Sequence, residues 1–182
     1  MDKAYISLVS VCVGWLLSQL TEYIKNKAKK DKLKKAVKSE IADITSIIFT
    51  ARNKSLKNSI SYGHNGCYTF SLSSQMQLPI TEKYYTEIFS LFTDTQRQNY
   101  RMLMQHLNFY NQAVKFFEDE SKNNLSQNMI IHKLFTAYKH LAFAHVFITA
   151  LSSDETIDDH HPKLVRLREH FKKQIPKLAL LS

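Results

Sequence analysis

Arg101-Met102-Leu103-Met104-Gln105-His106 pairs an anion-binding fork with a proton carrier at a fixed distance along the chain. An arginine holds a phosphate through paired N–H donors, and a histidine moves a proton near neutral pH. Together they could hold a phosphate and move a proton beside it. The spacing alone is not specific, because five arginines and eight histidines in 182 residues give about 0.7 such matches by chance. Without catalysis, Arg101 and His106 are helix-surface or dimer-interface residues. The remaining histidines form no ligand set. His160 and His161 are adjacent in a loop, and His140 and His145, five apart on a helix, lie about 140° from each other. No HExxH, three-ligand cluster, glycine-rich phosphate loop or nucleophile with its base is present, so neither a metal nor another cofactor is expected. Cys12 and Cys67 sit in unlike contexts and make no disulfide framework.

A second set of residues is spaced for helix packing. Ser7, Ser10, Gly14, Ser18 and Thr21 recur at intervals of three and four, so they share one face of a helix. Ser10, Gly14 and Ser18 form a small-xxx-small series that lets helices approach closely in lipid, or turns hydroxyls toward a lumen when several copies form a ring. They lie in a stretch from Ala4 to Leu20 without a charge, near the lower end of the length that crosses about 30 Å of hydrocarbon. Trp15 and Tyr23 suit an interface. A buried core helix and a signal peptide are the alternatives. Asp2 beside Lys3 and the lack of an A-x-A site speak against cleavage.

Lys25, Lys27, Lys29, Lys30, Lys32, Lys34, Lys35 and Lys38 follow at once, and they account for most of the formal net charge of +9. Positive residues beside a span stay on the cytoplasmic side, which orients the chain with its N-terminus outside and its bulk inside. The expected location is a bacterial inner membrane, crossed once. The lysines also suit anionic lipid head groups, and this reading is preferred to nucleic-acid binding because no aromatic residues interleave with them.

Stepping along the rest of the chain gives helices only. Three glycines and three prolines leave little of the punctuation that hairpins need. Val37, Ile41, Ile44, Ile48 and Ala51 continue a helical period out of the lysine run, so the membrane helix is expected to enter the soluble domain unbroken. Residues 53–78 lose the period and read as a long loop. Pro79 opens a helix carrying Tyr84, Tyr85, Ile88, Leu91 and Phe92, and Asp94 is placed to cap the next, which runs to about 119 with Tyr100, Leu103, Leu107, Tyr110, Val114 and Phe117 in a stripe. Lys122, Asn123 and Asn124 break it. A further helix spans about Asn128 to Leu151, a polar loop covers Ser152 to Asp159, and Pro162 starts a last helix that Pro176 ends or kinks. The organisation is therefore an all-α chain: an anchor over 1–24, a lysine-rich juxtamembrane helix over 25–38 and a helical bundle over 39–182.

The R-x4-H helix within such a bundle resembles HEPN domains. Ribonuclease members of that family bring Arg and His from two protomers into one composite site, which would assign Arg101 and His106. Met102 stands where active members usually carry a polar residue, which argues against catalysis. The whole layout is similar to the membrane accessory proteins of type VI-B CRISPR–Cas loci. That resemblance implies an HEPN-like bundle, a functional link to an RNA-guided ribonuclease in antiviral defence, and a homo-oligomeric pore or membrane-perturbing assembly as effector. A membrane-tethered HEPN ribonuclease is the alternative.

Overall fold

A computed structural model describes residues 2–65, 72–119, 126–153 and 155–179, with side chains described for 5–58, 72–119, 126–153 and 155–173. Gly66, Cys67 and the expected break at Lys122, Asn123 and Asn124 lie outside the described residues. The chain is all-helical: α1 is Asp2–Asn65, α2 Pro79–Lys83, α3 Tyr85–Leu91, α4 Asp94–Asp119, α5 Gln127–Ser153 and α6 Pro162–Ala179, with no strand among the described residues. Contacts cluster into two units, Met1–Lys38 and Ser39–Ser182.

In the first unit every described side chain from Tyr5 to Lys32 is exposed. The apolar ones, from Tyr5 and Ile6 through Val11, Trp15 and Leu17 to Tyr23 and Ile24, occupy about two thirds of the circumference, and the remaining side carries Ser7, Ser10, Gly14, Ser18 and Thr21.

The second unit is built around α5, whose apolar residues are buried on every side, among them Ile131, Leu134, Leu141, Phe147 and Ile148. A helix that is hydrophobic all round belongs at the centre of a core. Both α4 and α6 pack on it. From α4 come Leu103, Leu107 and Tyr110, and from α6 Phe171, whose ring stands 5.4 Å from Tyr138 and 5.6 Å from Phe135. Ile41, Ile44, Ile48 and Ala51 of α1 are buried as their period requires.

Several boundaries differ from the sequence reading. The expected loop over 53–78 is shorter, because α1 continues to Asn65; Ser and Asn are tolerated in a helix held by neighbouring packing. Residues 72–78 are non-helical and fastened to α4. Asn111 accepts the Met76 N–H at 2.8 Å and donates to its carbonyl at 2.9 Å, while the Tyr110 hydroxyl donates to the Ser73 carbonyl at 2.7 Å. The single helix expected after Pro79 is two, separated at Tyr84, whose φ of −111° and ψ of 30° leave the helical basin. Thr93, rather than Asp94, caps α4: its hydroxyl accepts the Gln96 N–H and the Gln96 side chain accepts the Thr93 N–H, both at 3.1 Å. This reciprocal pair is a capping box. Finally, α6 runs past Pro176.

One polar group holds α1 to the start of α2. Glu40 is 7% exposed, and its carboxyl accepts the Ile80 N–H at 2.6 Å, the Thr81 N–H at 2.9 Å and the Thr81 hydroxyl. The first-turn N–H groups of a helix have no partner within it, so Glu40 satisfies two donors that burial would otherwise leave unpaired. Replacing Glu40 with alanine is expected to lower stability by about 2–3 kcal/mol, and with glutamine by less, since the amide oxygen keeps one acceptor. Thermal unfolding followed by circular dichroism checks this; equal losses for the two variants would refute it.

Candidate functional site

Two regions carry the residues singled out by spacing. The first is the apolar length of α1. Gly14 has open space around it, with nothing within 4 Å of where a Cβ would stand. The Ser10 hydroxyl donates to the Ile6 carbonyl at 2.8 Å and the Thr21 hydroxyl to the Leu17 carbonyl at 2.7 Å. Hydroxyls satisfied by their own backbone cost little in a medium without water. Ser7, Ser10, Gly14 and Ser18 are exposed, and so are all eight lysines from Lys25 to Lys38. A helix near the N-terminus is thus long and apolar enough to cross a membrane, with none of its most apolar window buried. By the same length and composition α5 also qualifies, but 67% of its window is buried, which identifies it as the core of the second unit.

The second region is the R-x4-H turn of α4. A separation of five residues turns a helix by about 140°, and in a single chain Arg101 and His106 meet different neighbours. Arg101 is exposed, with its guanidinium carbon 5.5 Å from the centroid of the Phe89 ring of α3. It lines a shallow cleft with Glu82, Tyr85, Tyr100 and Gln105. His106 faces α5 instead, stacked 5.1 Å from Phe143 and 5.6 Å from Phe147.

His106 also has a partner that spacing did not reveal: its Nδ1 lies 3.0 Å from the Nδ1 of His140. Two neutral imidazoles meet this way only when one donates and the other accepts, so the two rings hold different tautomers. Burial first, then His140 and Lys139, push the His106 pKa down to about 4; burial and then Lys139 do the same for His140, also to about 4. His145 is lowered too, by burial and then by Arg52. The pairing depends on the register of α4 against α5, which no residue pattern within either helix specifies. No group of three or more metal-ligating side chains occurs among the described residues.

Comparison with protein-family models, with curated proteins and with solved structures finds no match to this chain.

A base whose folded-state pKa lies below its unfolded value takes up protons first in the unfolded chain. The stability contributed by the His106–His140 pair is therefore complete above about pH 6.5 and is lost as pH falls toward about 4. The melting temperature is expected to drop between pH 7 and pH 5, above the range where most carboxyls titrate. The His106→Phe/His140→Phe protein should lose most of that slope and keep the smaller part due to His145. An unchanged slope would exclude the pair as its source.

Proposed function

We propose that this chain is a single-span membrane protein, with its bulk on the cytoplasmic side, that acts as a homo-oligomeric pore-forming or membrane-perturbing accessory in RNA-guided antiviral defence. The observation that carries the membrane reading is the uncovered apolar surface of α1 from Tyr5 to Ile24, followed immediately by exposed lysines. Water is a poor environment for that surface, and the lysines suit the cytoplasmic head-group region. Self-association follows from the geometry of conduction, since one helix encloses nothing and only a ring of copies surrounds a path. The link to defence rests on the resemblance of the layout to type VI-B accessory proteins.

Membrane action is preferred to the ribonuclease alternative because of His106. A general acid or base works best with a pKa near the operating pH. His106 is instead held neutral between aromatic rings and His140, well below that range. A composite site would also require a second copy to bring its Arg101 to this face.

Because a side chain at Gly14 meets nothing within the chain, substitutions there act on contacts between copies. Gly14→Leu/Ser18→Leu is expected to shift the detergent-extracted protein to smaller assemblies and to abolish dye leakage from vesicles. Leakage at the wild-type level would count against the proposal. A cysteine introduced at Ser18 in a cysteine-free background should cross-link between copies more readily than Cys12 alone, which lies about 120° away around the helix. For the alternative, purified protein is expected to leave single-stranded RNA intact. Cleavage that disappears in both Arg101→Ala and His106→Ala proteins would establish the ribonuclease in its place.

A further inference from the structure

A cleft of about 500 Å³ opens in the second unit where α1, α5 and α6 meet. Arg52 enters it from α1, His145 from α5, and Lys163, Arg166 and His170 from α6, and among the described residues no aspartate or glutamate lines it. Between these groups the surface is mostly apolar, formed by Leu56, Ala142, Val146 and Leu167 with the ring of Tyr138, and Asn53 adds one polar side chain.

The charges are unevenly compensated. Lys163 Nζ is held by Glu155 at 2.6 Å. Arg168, one turn further along the same helix and outside the lining, is fixed to Asp159 at 2.6 Å. Arg52 and Arg166 have no carboxylate partner among the described residues. The Arg52 guanidinium instead lies 5.0 Å from the centroid of the Phe49 ring, which supports it from the side. Its positive field reaches the neighbouring imidazole, since Arg52 is the second cause, after burial, of the lowered His145 pKa. Like charges gathered in one concavity repel one another and focus an attractive potential on anions. Two guanidinium forks are suited to the paired oxygens of a phosphate. The volume exceeds what a bare phosphate fills and falls in the range of small-molecule sites, and the apolar lining offers contact to an uncharged moiety.

We propose that this cleft binds a phosphorylated small molecule of about nucleotide size, its phosphate taken by Arg52 and Arg166 with Lys163 at the edge and its uncharged part against Leu56, Val146, Leu167 and Tyr138. The proposal does not depend on the membrane reading. Its chemistry is shared by a free nucleotide and by a phosphomonoester lipid head group, and separate probes distinguish the two.

Full-length protein in detergent would be titrated at physiological salt with ATP and, separately, with dioctanoyl phosphatidic acid, using calorimetry. At least one probe is expected to bind, and Arg52→Gln/Arg166→Gln to weaken it by about tenfold or more. Lys115→Gln, an exposed position on α4, should leave affinity within about twofold. Binding by the lysines of the first unit survives the double substitution and weakens with added salt, so the difference between the two proteins isolates the cleft. Arg166→Glu, a single change at an exposed position, serves if the double variant melts early, and should abolish the same binding. ATP binding with this dependence assigns a nucleotide, and phosphatidic acid binding with it assigns a lipid source. Absence of binding by both probes to folded protein, or binding indifferent to Arg52 and Arg166, overturns the proposal.

Discussion

A helix that is apolar over most of its circumference must be covered by something, and none of the described residues buries the large apolar side chains of α1 between Tyr5 and Ile24. Twelve large hydrophobic side chains in this length are between 45% and 71% exposed. Moving that many from water into an apolar environment is worth on the order of 10–20 kcal/mol. This is as large as the whole net stability of an ordinary domain. On the membrane reading proposed above, lipid and other copies of the same helix are the two covers that fit, and they are compatible. Lipid satisfies the bulky residues, while Ser10, Gly14 and Ser18 offer the low side along which backbones approach.

The second unit is organised by the opposite condition, an apolar helix most of whose apolar length is buried. With α5 at the centre, the amphipathic α4 and α6 need only one buried face each, and they present the polar face outward. Connections that lack regular structure are then tied by side chains to the helices beside them. Glu40 holds the start of α2, Asn111 and Tyr110 hold residues 73–76, and Asn99, 1% exposed, donates to the Glu155 carbonyl at 2.8 Å. Glu40, Asn99 and Asn111 each read on their own as ordinary surface choices. Each is drawn inward because a backbone group without a helical partner lies across from it.

That difference explains what could be read from residue order. Stripes such as Leu103, Leu107 and Tyr110, or Ile41, Ile44 and Ile48, are local and periodic, so they announce both the helix and its buried face. Thr93 with Gln96 three residues later is also a local sign, although the neighbouring Asp94 competes with it as a cap. Extension of α1 to Asn65 was hidden because Asn53, Ser55, Asn58 and Ser59 carry the composition of a loop. The interruption at Tyr84 was hidden because Tyr84, Tyr85 and Ile88 fit a helical stripe. Nothing in the order of residues places Glu40 against Ile80 and Thr81, or gathers Arg52, Lys163 and Arg166 into one cleft. Those are consequences of packing between elements far apart in the chain.

The R-x4-H turn shows the same division between local and distant information. Helical geometry alone turns His106 about 140° away from Arg101, just as it separates His140 from His145. Only the docking of α4 on α5 brings His106 to His140, one histidine from each of the two dismissed pairings. The result is a neutral, half-buried imidazole pair with Phe143 and Phe147 stacked on His106, and Arg101 is left on the exposed side against Phe89. Within one chain this arrangement makes His106 a packing residue that a proton would disturb, and makes Arg101 a residue available to something outside the chain.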